Sequence, residues 1–307
     1  MSRTEQRKKR HHLGSLALAA AVTGALVAPM IPTAAVAAAP AGIDGEGIAA
    51  APYEIDSAAD LRALTEWINA DSGARAGSHI DLTADIDMSG EAPLRGIDTF
   101  TGVLDGQGHT ISGLVYGDRD TNNGRLSLIQ RLDGGTVTNL TLSDLSADNA
   151  TSSGFVAGIA IHSVGGTITG NTILDADLSA TSAEKVGGLV AEADGGVISD
   201  NFVDATLAAG EMPAGIAAYA KNATTITRNL VSADITMAAP GGTGGEKGNN
   251  AGMIVGYPGT PNSSAFTANV ALSGSIAYEG KIDGFVGRIV GYTAYDGWSA
   301  SDNLAST

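Results

Sequence analysis

The chain contains no cysteine, which excludes a disulfide framework, a cysteine nucleophile, thiolate metal sites and a lipid anchor through an N-terminal cysteine. Aromatic residues make up only 5%, too few large side chains to fill the interior of an ordinary globule of 307 residues. Basic residues are also scarce, 17 against 33 acidic ones, so nucleic acid and anionic membrane are poor partners. No H-E-x-x-H string occurs, so the paired imidazoles and glutamate base of a zinc metallopeptidase are missing. A G-x-S-x-G elbow is missing as well, which leaves a serine triad without its usual frame.

What the chain does have is glycine, 42 residues of it, and a repeating pattern. The clearest copy is Gly187 to Leu207, GGLVAEADGGVISDNFVDATL, in which three short apolar strand pieces alternate with small-residue turns. A glycine landmark recurs as Gly154, Gly188, Gly215, Gly252 and Gly284, and an asparagine of a second series follows each landmark in alternation: Asn171, Asn201, Asn229, Asn269 and Asn303. Short strands and turns repeating at variable intervals of this size predict a solenoid whose loops differ in length while its core stays constant. A narrow solenoid core is filled by Val, Ile, Leu and Ala, which reconciles the fold with the shortage of aromatics. The five asparagines are expected at an inner corner, hydrogen-bonding from coil to coil as a structural ladder.

Residues 1–37 read as a signal peptide. Arg3, Arg7, Lys8, Lys9 and Arg10 form a basic start, an apolar run extends from Leu13 to Ile31, and Ala35-Val36-Ala37 offers a cleavage site. Removing this segment leaves 12 basic against 32 acidic residues, a formal charge of −20 for a secreted or cell-surface chain that is not inserted in a membrane after processing. Residues 38–52, rich in Ala, Gly and Pro, read as a flexible leader. An N-terminal cap is expected over 53–78: a strand at Tyr53 to Ile55, then a helix. Ser57 and Asp60 have capping-box spacing ahead of Leu61, Leu64, Trp67 and Ile68, which share one helix face. The solenoid itself is assigned to 79–307, about seven coils, with its last coil cut short and open to association with a further domain or a second copy.

The string FTGVLDGQGHTISGL, residues 100 to 114, preceded by LTADIDMSG, resembles the opening of the repeat region in bacterial surface proteins that carry GLUG motifs, among them the immunoglobulin A metallopeptidases upstream of their catalytic domain. Gly188-Leu189-Val190-Ala191 and Gly284-Phe285-Val286-Gly287 resemble the G-L-x-G signature. The resemblance covers residues 53 to 307. It implies an all-β, right-handed parallel β-helix on a secreted or surface-displayed protein, and it is specific for architecture rather than for chemistry.

Candidate sites are few. Asp175 and Asp177, with Asp200 and Asp204 one coil on, form the best carboxylate group, although a solvated acidic face explains them too. Asp81, Asp85 and Asp87 read as the wet side of a strand whose other side carries Leu82, Ile86 and Met88. The loop GGTGGEKGNN, 241 to 250, lacks the G-K-[ST] ending of a phosphate cradle. Each mature histidine, His79, His109 and His162, stands alone. Tyr278, Tyr292, Tyr295 and Trp298 form the one local concentration of aromatics, suited to glycan contact or to packing. No cofactor or metal is implied. Two functions follow: a non-catalytic stalk or adhesive platform for a host or surface protein or a glycan, with any peptidase domain lying elsewhere, and, as the alternative, a carbohydrate-active β-helix enzyme, a polysaccharide lyase or glycoside hydrolase.

Overall fold

In the computed structural model, residues 39–117, 124–149, 154–180, 185–238, 249–259, 263–279, 285–292 and 297–306 are described. They form a β-solenoid of about seven turns. Four sheets run along it. Sheet A has nine strands, from Tyr53–Ile55 to Ser299–Ser301; sheet B has ten, most of them in one path from Ile86–Asp87 to Leu304–Ala305. Sheet C has six, from Arg125–Leu126 to Phe285–Gly287, and sheet D five, from Ile129–Asp133 to Val255–Pro258. Strand pairs within them are parallel, each strand lying beside its counterpart one coil on. A complete coil therefore passes through Phe155–Ala157 in sheet C, Ala160–Val164 in D, Thr167–Thr169 in A and Thr172–Ala180 in B.

The core is a set of stacked rows. In sheet A, Leu104, Val137, Ile168, Ile198, Ile226 and Phe266 occupy one inward position in successive coils, all essentially buried. Ile111, Leu142, Ile173, Val203, Val231 and Ala271 do the same in sheet B. Stacking like on like keeps the cross-section constant, and each buried aliphatic side chain contributes roughly 1.5–3 kcal/mol of transfer free energy. One end of the stack is closed by the helix Ala58–Ala70, capped by Ser57, whose hydroxyl oxygen accepts from the Asp60 N–H at 3.2 Å. Leu61, Leu64 and Ile68 are buried against the core, while Trp67 meets Tyr53 edge-on, with ring centroids 5.5 Å apart. A second helix, Ser72–Arg75, follows. Among the described residues no helix is long and apolar enough to cross a membrane.

Three sequence expectations need correction. A complete coil has four strand pieces, not three, because the glycine pair read as one turn hides a sharp corner between two strands. At Gly187 a Cβ atom would lie 1.8 Å from the Val190 carbonyl oxygen, and at Gly188 one would lie 2.0 Å from the Gly215 carbonyl oxygen of the next coil. Second, the glycine landmarks are not equivalent positions. Gly158, Gly188 and Gly215 stack, but Gly252 pairs with Ala214, one residue earlier in the coil, and Gly154 precedes the strand rather than following it. The five asparagines are the consistent marker. Third, the stretch read as a flexible leader is tied to the cap: Ile43 is buried, Asp44 bridges to Glu54, and the His79 N–H donates to the Gly47 carbonyl at 2.9 Å.

Candidate functional site

The asparagine ladder lies at the corner between sheets A and B. The side-chain oxygens of Asn201, Asn229, Asn269 and Asn303 each accept two hydrogen bonds from the asparagine one coil before, one from the amide Nδ2 and one from the backbone N–H, while that of Asn171 accepts from the Leu140 N–H at 3.1 Å. The Nδ2 distances are 3.1 Å from Asn171 to Asn201, 2.9 Å from Asn201 to Asn229, 2.9 Å from Asn229 to Asn269 and 3.0 Å from Asn269 to Asn303. Each Nδ2 also donates to a core-strand carbonyl of the preceding coil: Val137, Ile168, Ile198, Ile226 and Phe266 in turn. The first four asparagines are buried and Asn303 is partly so. Donors and acceptors at the corner are matched inside a low-dielectric core, where an unmatched one is costly.

The carboxylate group is divided by the structure. Asp175, Asp177 and Asp204 line a cleft of about 370 Å³ on sheet B, joined by Asp234, Ser232 and Ser273. Asp200 is elsewhere, at the turn into sheet B, where Arg228 grips it through two hydrogen bonds of 2.6 Å and lowers its pKa. The cleft has a local cause. Sheet B loses register between Ile173 and Ala176, where Asp175 adopts φ +50°, and again between Val231 and Ser232, so outward side chains no longer stack evenly. Asp234 was missed by the sequence reading. It is reached by register alone, since Asp177, Thr206 and Asp234 are successive partners across three coils. Its carboxylate accepts from the Ser275 N–H at 2.9 Å and the Ser275 hydroxyl at 2.8 Å. Among the described residues no cluster of three or more His, Asp or Glu has the geometry to hold a metal ion.

A second constellation lies on the outer faces of sheets C and D and was not legible as a group. Glu192 accepts from His162 Nδ1 at 2.9 Å and pairs with Lys185 Nζ at 2.9 Å. Burial raises the pKa of the Glu192 carboxyl, but the hydrogen bond from His162 and the charge and hydrogen bond of Lys185 outweigh it and bring the value down to about 2. Lys185 Nζ stands 4.6 Å above the Phe155 ring, and His162 meets that ring edge-on at 5.8 Å. Further along the same faces Tyr219 stacks on Tyr257 at 5.5 Å, Tyr257 on Tyr292 at 5.1 Å, and Phe285 abuts Tyr292 at 4.8 Å. The C-terminal aromatics are thus reordered: Tyr292 joins this row, whereas Trp298 packs on Phe266 at 5.9 Å. Tyr278 belongs by its backbone to strand Ile276–Glu279, and Tyr295 lies outside the described residues, as do residues 1–37 and 241–248.

The other singled-out groups have local roles. Asp85 accepts from the Thr110 N–H at 2.9 Å and contacts His109 Nδ1 at 3.2 Å, which together lower its pKa. Asp87 accepts from the Ser89 N–H at 2.8 Å, and Asp81 accepts from Gln107 Nε2 at 3.0 Å. These carboxylates hold turns of the first coils.

Stacked parallel strands with an internal asparagine ladder define a parallel β-solenoid, and comparison with known proteins agrees. No protein-family model matches the chain. A segment of 157 residues, 48% of the chain, is 35% identical to Halomucin of Haloquadratum walsbyi, and the match spans only 2% of that protein's length. Among solved structures, a Bacteroides ovatus protein provisionally assigned as an immunoglobulin A1 protease superposes with a TM-score of 0.62, covering 85% of this chain and 77% of that one at 19% identity. At that identity the likeness shows the fold.

Proposed function

We propose that this chain is a secreted or surface-displayed, non-catalytic β-helix, built of GLUG-like coils, that serves as a stalk or recognition platform for protein or glycan. The observation that carries this reading is where the polar side chains go. The asparagines pair with asparagines, Glu192 with His162, and Arg228 with Asp200, in each case joining one coil to the next, while Lys185 ties Glu192 to the adjoining sheet of its own coil. Such pairing serves a rod that must hold its shape. The Halomucin match supports it, since the matched segment is 2% of a far longer protein. The basic start and apolar run before Ala35-Val36-Ala37 support export.

A second reading, a carbohydrate-active enzyme, is favoured by the cleft that gathers Asp175, Asp177, Asp204 and Asp234. Incubation of the processed chain with a panel of neutral and acidic polysaccharides tests both. The platform reading expects retention of at least one glycan or protein ligand with no product; release of reducing ends or unsaturated uronates, abolished by Asp177→Asn or Asp204→Asn, would replace it with the enzyme.

A further inference from the structure

We infer that the trough between sheets C and D, over the coils that carry Phe155 and Lys185, binds an acidic glycan bearing uronate or sulfate groups; this rests on the reading of the chain as a recognition platform. The trough follows from the glycine corner. Because the chain turns sharply between these sheets, Ala157 and Phe155 of sheet C touch Ile161 and Ala191 of sheet D in an apolar cluster of their own, separate from the main core. Side chains from two adjoining sheets meet outside the coil only where the wall is concave. Ala157, Ile161 and Ala191 lie fully buried at its floor, and larger side chains stand along its rims: Arg125, Phe155 and Lys185 in register on sheet C, Arg131, His162 and Glu192 in register on sheet D.

Charge points to the ligand. Beyond the N-terminal cap the described residues include seven Lys or Arg, and four of these, Arg125, Arg131, Lys185 and Lys221, stand on the outer faces of sheets C and D, Lys185 and Lys221 paired with Glu192 and Asp194. Elsewhere the protein is strongly acidic. Among the described residues no carboxylate pairs with Arg125; its guanidinium lies 5.6 Å from the centroid of the Phe155 ring. Arg131 is half-exposed and pairs only with the equally exposed Asp133 of its own strand, a contact an incoming anion displaces at little cost. A partly exposed aromatic ring flanked by cations offers one sugar an apolar face to stack on and its acidic substituent a guanidinium to meet. Coils repeat every ~4.8 Å, so successive rims present themselves to successive units of a linear chain laid along the axis. Any polyanion meets the repulsion of the whole acidic molecule at long range, so recognition rests on short-range contacts, the stacking of a sugar ring on Phe155 and the meeting of its acidic group with Arg125.

The test is calorimetric titration of the full processed chain with polygalacturonate, chondroitin sulfate, dextran and poly-glutamate at low and physiological salt. The inference expects binding of one or both acidic polysaccharides, none of dextran, and a loss of about tenfold or more in Arg125→Ala and in Phe155→Leu, which keeps the cluster filled while removing the ring. Arg228→Ala, at the A–B corner, should bind as the parent does, and melting curves verify that all variants are folded. Equal affinity for poly-glutamate would reduce the site to charge alone, and unchanged binding in both trough variants would place it elsewhere; either overturns the inference. A chain that binds neither acidic polysaccharide also overturns it while leaving the platform reading intact, whereas cleavage of the polysaccharides would sink the platform reading itself.

Discussion

Asn201 donates to Asn229 twice, its Nδ2 at 2.9 Å and its backbone N–H at 3.1 Å both reaching the same Oδ1. One oxygen thus satisfies the turn of one coil and the ladder of another, and replacing Asn201 by alanine leaves that oxygen, the Ile168 carbonyl and the two Asn171 donors short of partners. The expected cost is about 1–3 kcal/mol. Thr206→Ala, on the exposed face of sheet B, should stay within about 0.5 kcal/mol of the parent. Denaturant melts of the two variants check this, and equal effects would show that the ladder adds nothing beyond its neighbours.

Stability should fall in acid through Glu192. Its folded pKa, about 2, lies below the ordinary value of 4.5, so its contribution is fully present above pH 4.5 and is lost as pH falls towards 2. The shift corresponds to roughly 1–2 kcal/mol after allowance for the partial exposure of the site. Melting temperatures of the parent and of Glu192→Gln, followed from pH 7 to pH 2, should converge over this window. A constant gap would mean that Glu192 contributes by packing and not by charge.

At Gly187 the corner between sheets C and D should tolerate no side chain, although the neighbouring coils carry Ala157 and Ala214 in the same register. Gly187→Ala drives a methyl to within 1.8 Å of a backbone oxygen, whereas Gly134→Ala meets open space and suffers only from its φ of +68°. The first substitution is expected to cost about 3 kcal/mol or more, the second about 1–2 kcal/mol. If thermal melts ranked them in the reverse order, the backbone approach at the corner would be looser than described.

No chelator-sensitive cleavage of casein or immunoglobulin is expected from the purified chain, with or without added zinc, because the sequence lacks the H-E-x-x-H arrangement. Zinc-dependent fragments from this chain alone would contradict that.

Much of the architecture was legible in the sequence, and the asparagines show why. A buried amide needs partners from the coil above and the coil below, so Asn171, Asn201, Asn229, Asn269 and Asn303 must fall in phase whatever the loops between them do. Glycine was a poorer guide. It is required at the corner by Gly187 and Gly188, at turns with positive φ such as Gly134 and Gly165, and before strands at Gly154, so a count of glycines blends positions with different physical reasons. That blend hid the fourth strand of each coil and put Gly154 and Gly252 into one series.

By itself, then, the sequence determined the parallel solenoid, its capping helix and its inner corner, since each rests on a requirement repeated at short range: an apolar residue every second position, a hydroxyl before a helix, an amide at each turn. Only the tertiary structure decided which side chains share an outer surface. Glu192 meets His162 and Lys185, and Asp234 joins Asp175 rather than Asp200, because register between coils and two bulges in sheet B set those distances. Register belongs to pairs of coils, while a bulge shifts every outward side chain beyond it. No local pattern of residues carries that sum.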